Sequence, residues 1–130
     1  MKDKIVKEWF ERGEHDFQTA KISMLQEGYP DVILFLLHQA IEKYIKGYLI
    51  FNGWKLKKIH DLETLLTETM EFDKSFEKYL DFGRKLTAYY YEDRYPPGPI
   101  PEISKEEIEN TYKITEEIII LIKSKIILTG

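Results

Sequence analysis

Two short stretches of this chain combine side chains that could do chemistry together. The first is His38-Gln39-Ala40-Ile41-Glu42-Lys43 followed by Lys46, which brings an imidazole, a carboxylate and two ammonium groups into one segment. At ~100° per residue, a helix places His38, Gln39, Glu42, Lys43 and Lys46 within roughly 140° of one surface, opposite Leu37, Ile41, Tyr44, Ile45 and Tyr48. Such a face could line a groove in which Lys43 and Lys46 attract phosphate while Glu42 orients a neighbour. The second stretch is Tyr89-Tyr90-Tyr91-Glu92-Asp93-Arg94-Tyr95-Pro96, with Arg84 on the same helical face as Tyr91. Guanidinium beside phenol rings grips phosphate bidentately and stacks on bases, so Arg84, Tyr91, Arg94 and Tyr95 join His38, Glu42, Lys43 and Lys46 as candidate nucleotide-binding residues.

Both stretches also admit plainer readings. Glu42 and Lys46 have the spacing of an ordinary surface ion pair, and an arginine at a helix end complements the helix dipole. Yet the helix carrying His38 is expected at the centre of the fold, where a polar stripe must meet solvent, a partner chain or a buried polar network. That requirement favours a functional groove or interface. The pairs His60-Asp61 and His15-Asp16 do not make dyads, because adjacent residues on a helix diverge by ~100°. Asp61 reads as a helix N-cap and His15 as a surface residue. His15, His38 and His60 fall on three elements without metal-ligand spacing, so no metal site is expected. No glycine-rich phosphate loop or Gly-x-Ser-x-Gly turn is present, and no catalytic residue or cofactor is assigned.

The elements that must position these residues are helical. Val6, Trp9, Phe10, Phe17, Ala20 and Met24 recur at helical spacing up to about Glu27, where Gly28 supplies a C-terminal glycine and Pro30 suits the first turn of the next helix. That second helix should run from about Pro30 to Asn52, stopped by Gly53. Its start, Val32 to Leu37, is apolar on every side and is expected to be its most buried part. Asp61 caps a short helix ending near Phe72. A fourth helix, about Lys74 to Asp93, carries Phe76, Leu80, Gly83, Leu86 and Tyr90 on one stripe and stops before Pro96, Pro97, Pro99 and Pro101. Ser104-Lys105-Glu106-Glu107 matches a capping box that opens a fifth helix with Ile108, Tyr112, Thr115, Ile118, Ile119, Ile122 and Ile126. Long helices joined by short turns bury their stripes against sequence neighbours, which predicts an all-α, up-and-down antiparallel bundle of about five helices.

Composition bounds the rest. A chain of 130 residues, 43% hydrophobic and 32% charged, reads as a single globular domain spanning 1–130. The net charge of −4 makes no demand for nucleic acid, but from Lys43 to His60 there are five lysines (43, 46, 55, 57 and 58) and no acidic residue. This segment is either an anion-facing surface or a solvated helix end. The absence of cysteine excludes disulfides and thiolate metal sites, and a cytoplasmic location is expected. No signal peptide is visible, and the apolar run Ile118 to Ile122 falls far short of the ~20 residues that span a bilayer, so no membrane association is expected. High Lys, Glu and Ile with two Asn and three Gln is a thermophile-like composition. With 14% aromatic residues, including nine tyrosines and two tryptophans, more aromatic surface is present than one small core absorbs, which predicts a homodimer.

The order His38 to Lys46, then His60-Asp61-Leu62, then Arg94-Tyr95-Pro96 resembles the HEPN family of small helical proteins (higher eukaryote and prokaryote nucleotide-binding domain), from about Trp9 to the last helix. The resemblance implies a helical bundle and one of two activities. Many HEPN proteins are ribonucleases with an Arg followed four to six residues later by a His. Here no histidine follows Arg84 or Arg94, and Arg12 reaches only His15, so the proton carrier that such cleavage requires is missing from its usual place. The Arg-Tyr-Pro form fits better the branch that accompanies minimal nucleotidyltransferases. The resemblance therefore implies a nucleotide- or RNA-binding module that is not an enzyme on its own and acts with a nucleotidyltransferase partner in a two-component, toxin–antitoxin-like system. The alternatives are a HEPN ribonuclease toxin with a non-standard active site and a purely structural helical dimerisation protein.

Overall fold

The computed structural model describes residues 2–93 and 102–126, with Tyr91 to Asp93 described by backbone alone. Its elements are α1 (Lys2–Leu25), α2 (Pro30–Phe51), α3 (Leu62–Thr69), a 3-10 turn (Lys74–Tyr79), α4 (Leu80–Asp93) and α5 (Lys105–Ser124). There is no strand among the described residues, and the architecture is the all-helical bundle that the periodicity implies. The crowded prolines from Pro96 to Pro101 lie outside the described residues.

Local chemistry explains most boundaries. Pro30 opens α2, Asp61 accepts the Thr64 N–H at the start of α3, and the Ser104 hydroxyl accepts the Glu107 N–H at the start of α5. Gly53, at φ 92°, closes α2, with its own N–H on the Ile50 carbonyl and the Trp54 N–H on that of Leu49. The end of α1 differs from expectation. The left-handed position is taken by Glu27 at φ 55°, and Gly28 instead brings its N–H to within 2.6 Å of the Ser23 carbonyl. A Cβ on Gly28 would lie 3.1 Å from that same oxygen, so the glycine serves close approach rather than a positive φ. The expected fourth helix also divides: its first turn is 3-10, capped by Asp73 on the Ser75 N–H, and only Leu80 onward is α-helical.

α2 is the hub, packed against α1, α3, α4 and α5. Its most buried part is the middle, Leu37 to Leu49, and not the apolar start, where Val32 is 46% exposed. Apolarity all round a helix does not say which neighbours reach it, and the other helices converge on its centre. α1 comes closest, because Gly13 and Gly47 offer no side chain: a Cβ on Gly47 would lie 2.6 Å from the Phe10 ring, and one on Gly13 2.8 Å from the Tyr44 ring. With α1 pressed on that side, the polar stripe of α2 is left to face α3 and α4.

Candidate functional site

His38, Glu42 and Lys46 recur one turn apart on α2, and all three are buried. His38 is wholly enclosed. Its ring stacks on Tyr90 of α4 at 4.2 Å, and Tyr90 also stacks on Phe35 at 5.4 Å. The His38 Nε2 lies 3.0 Å from the Thr87 hydroxyl, which accepts the Leu62 N–H, also at 3.0 Å. A hydroxyl that accepts from the backbone still has a proton to give, so Thr87 can donate to Nε2, which leaves the ring proton on Nδ1. Burial lowers the His38 pKa to about 3, with the nearby Asp61 opposing the shift and His60 adding to it. The ring is therefore neutral in the fold.

Glu42 is the branch point. Its Oε2 accepts from Lys46 Nζ at 2.9 Å and from His60 Nδ1 at 2.8 Å. Its Oε1 faces His38 Nδ1 at 3.9 Å, too far for a hydrogen bond, and these two atoms are buried without a hydrogen-bond partner among the described residues. Lys46 adds a cation–π contact, its ammonium 5.8 Å from the Trp9 ring centroid. A polar chain thus runs from His60, whose side chain is 53% exposed, through Glu42 and His38 to Thr87 and the first N–H of α3. It joins α2, α3, α4 and the loop before α3, and through Trp9 it reaches α1.

The eight residues singled out from the sequence do not all meet here. His38, Glu42 and Lys46 do. Lys43, at the edge of the same arc, turns to α1 and bonds Asp16 at 2.5 Å. It stands beside a second set on that side, in which the Tyr44 hydroxyl donates to Glu14 at 2.6 Å. Arg84 is exposed and pairs with Asp81 of its own helix, also apart from the network. The Tyr91 side chain, Arg94 and Tyr95 lie outside the described residues. The Glu42–Lys46 pair, read from spacing as a surface ion pair, is a buried one with side chains 7% and 4% exposed.

Sequence reasoning missed His60, Thr87 and Trp9. Asp61 is the N-cap that was expected, but the carboxylate partner of His60 is Glu42, across the fold. Two signals mark His60 itself, its place in the His60-Asp61-Leu62 segment that follows the His38 helix and its position at the end of a stretch with no acid of its own, but neither names Glu42 as its partner. Nothing in the spacing of Thr87 or Trp9 marks them. Among the described residues no group of His, Asp and Glu is disposed to hold a metal ion. A surface cleft of about 300 Å³ lies elsewhere, where Met24, Pro30, Ile33, Ile103 and Ile108 meet, and its lining is mainly apolar. The polar network, not that cleft, carries the titratable groups, so it is the better candidate site.

Comparison with known proteins is consistent with this geometry. A Methanocaldococcus jannaschii protein named "Putative toxin MJ1304" is 27% identical over 133 residues, covering 92% of this chain and 87% of the relative. The crystal structure of ST0689, an archaeal HEPN homologue, superposes with a TM-score of 0.73 at 25% identity, covering 92% of this chain and 96% of its own. That of TT1696 from Thermus thermophilus gives 0.78 at 24% identity, over 93% and 98% of the two chains, and speaks for the fold alone. The HEPN domain model matches residues 6–125, nearly the whole length, and the chain belongs to the HEPN domain family.

Proposed function

We propose that this HEPN protein is a nucleotide- or RNA-binding module that acts as a homodimer with a minimal nucleotidyltransferase partner, in a two-component, toxin–antitoxin-like system. The observation that carries the reading is the Glu42–Lys46 ion pair, nine-tenths buried on the central helix beneath the half-exposed His60. A buried ion pair is rarely the most stable filling of its space, since desolvation offsets much of the attraction. A charge set held there acts by positioning its neighbours, and the neighbour it holds at the surface is His60, at the end of the lysine-rich, acid-free stretch. The toxin name of the archaeal relative supports the system-level part of the proposal.

In this reading Lys43 and Lys46, both already paired, shape the site's field and anchor its walls. The remaining proposed ligand contacts are Arg84, Tyr91, Arg94 and Tyr95, whose side-chain types can grip phosphate and stack on bases, while His38 and Glu42 hold the buried network in place. Exposed apolar side chains at the α1–α2 turn, Ile22, Leu25, Tyr29 and Val32, support self-association there. Light scattering that reports a monomer at every accessible concentration would count against the dimer. Titration of nucleotides and short RNA at low salt, followed by melting temperature, tests the module, because a ligand that binds only the folded state must stabilise it. Arg94→Lys should weaken binding although the charge is kept, because the planar fork is lost. The reading fails if no nucleotide or RNA binds or raises the melting temperature, even with a nucleotidyltransferase present.

One observation favours a second reading, a ribonuclease with a non-standard active site. His60, with Nδ1 fixed by a buried carboxylate and its ring half exposed, has the arrangement of a general base. Incubation of the purified chain with RNA, compared with His60→Gln, separates this from the binding module.

A further inference from the structure

His60 is the point where the buried network reaches the surface. Against a carboxylate, Nδ1 must be the donor, so its proton is committed to Glu42 at 2.8 Å. The other ring nitrogen, Nε2, has no hydrogen-bond partner among the described residues, on a side chain that is 53% exposed. The Glu42 charge is already balanced by Lys46 on the same oxygen, so neutralising Glu42 does not account for His60. The loop that leads to it carries Lys55, Lys57 and Lys58, all exposed. Only Lys57 has an ion-pair partner among the described residues, Glu68 at 3.5 Å. The adjacent acid, Asp61, spends its carboxylate on the Thr64 N–H at 3.2 Å and the Thr64 hydroxyl at 2.5 Å.

We propose that His60 Nε2, with Lys58 two residues before it and Lys55 earlier in the same loop, binds a phosphate oxygen of the ligand, and that filling the site favours the protonated ring. The proposal rests on the nucleotide- or RNA-binding reading and names the group and the regulation of that site. A phosphodiester oxygen has no proton to give near neutral pH, so Nε2 must arrive as N–H. Nδ1 is N–H already. The occupied ring is therefore an imidazolium held between the Glu42 carboxylate and the phosphate, and binding strengthens as pH falls. The groups facing it are Glu42, Lys46 and the buried His38 from α2, Asp61 beside it, and Thr87 and Tyr90 from α4 beyond His38. His38 stays neutral across the range in which the ligand would be tested and does not contribute the proton.

The test is calorimetric titration of the full chain with a short oligoribonucleotide lacking terminal phosphates, in buffers of different ionisation enthalpy. The wild type should show net proton uptake. His60→Gln should abolish the uptake and, on the acid side of neutrality, weaken binding about tenfold, the scale of one hydrogen bond to a charged group. The paired variant Lys55→Gln/Lys58→Gln, on exposed positions that leave the fold alone, should weaken binding and flatten its salt dependence while leaving proton uptake in place. Retention of the oligomer only assigns a diester as the phosphate source, whereas binding of AMP or inorganic phosphate that is lost in His60→Gln assigns a single terminal group. Equal uptake and affinity in wild type and His60→Gln would overturn this inference and leave the binding module standing. No binding by the wild type would end both.

Discussion

Replacing Glu42 by glutamine keeps the shape of the side chain and removes its charge, which isolates the electrostatic role of the buried pair. In the native fold the carboxylate accepts from Lys46 at 2.9 Å and from His60 at 2.8 Å. Lys46, with 4% of its side chain exposed, has little route to solvent and would be left as a buried ammonium facing a neutral amide. Removing one partner of such a pair costs about 3–5 kcal/mol, and because the glutamine oxygen still accepts one hydrogen bond the low end, about 3 kcal/mol, is expected. With an unfolding entropy of ~2.1 cal/mol/K per residue over a chain of this length, that loss lowers Tm by about 11 °C. Urea unfolding and calorimetry of Glu42→Gln, Lys46→Met and the double variant complete a double-mutant cycle. The double variant should recover part of the loss, since an uncharged pair fills the same space without a desolvated charge. A single-variant cost below about 1 kcal/mol, or a double variant no better than the sum of the singles, would refute the view that Glu42 and Lys46 act as one buried unit. A double variant that is stable but fails to bind ligand would locate the pair's value in positioning.

Three further outcomes follow from the same geometry. His38 has its pKa lowered to about 3 in the fold against ~6.5 when unfolded, so the unfolded chain takes the proton first: this stability contribution is intact above ~6.5 and is lost as pH falls toward 3. By about pH 4 the wild type should lose about 3 kcal/mol more than His38→Asn relative to neutral pH, and equal losses by urea unfolding would mean that the ring is charged inside the fold. Thr87→Val strands the Leu62 N–H and the His38 Nε2 in a buried place and should cost about 2–4 kcal/mol in urea unfolding, with a cost under about 1 kcal/mol excluding Thr87 as the link between α4 and α3. Gly13→Ala puts a methyl 2.8 Å from the Tyr44 ring and 3.3 Å from the Ala40 carbonyl and should destabilise by about 1–3 kcal/mol although alanine is the better helix former; a rise in Tm would show that α1 can move off α2 at no cost.

The parts of the fold legible in the sequence are those fixed by neighbours in the chain. Pro30, Gly53, Asp61 and Ser104 each act on backbone groups within five residues, and each terminates or opens a helix where its chemistry says it should. The stripe Phe76, Leu80, Gly83, Leu86 and Tyr90 faces inward as its period implies, despite the 3-10 turn at its start. What the sequence concealed depends on which element arrives from where. The arc from His38 to Lys43 looks continuous on a helical wheel, yet α1 approaches one edge and claims Lys43, while α3 and α4 approach the other and enclose His38, Glu42 and Lys46. Glu27 in the left-handed region has a local cause that residue preference hides: Gly28 brings its N–H to the Ser23 carbonyl five residues back, so the residue before it turns the chain.

The candidate site was half legible for the same reason. A polar stripe on the central helix had to be solvated, covered by a partner or satisfied within the fold, and the fold takes the third course for His38, Glu42 and Lys46. It does so incompletely: His38 Nδ1 and Glu42 Oε1 confront each other at 3.9 Å without bonding. A shift of about 1 Å would bring the two atoms to normal hydrogen-bond length. Any movement of Glu42 toward His38 draws on the oxygen that holds His60 and Lys46, so the half-exposed histidine and the buried imidazole are coupled through one carboxylate. A ligand that draws a proton onto His60 strengthens that ring's hold on Glu42 and opposes the shift toward His38. Through the network's position, between the hub helix and the first turn of α3, the proposed surface site is linked by hydrogen bonds to the place where α2, α3 and α4 meet.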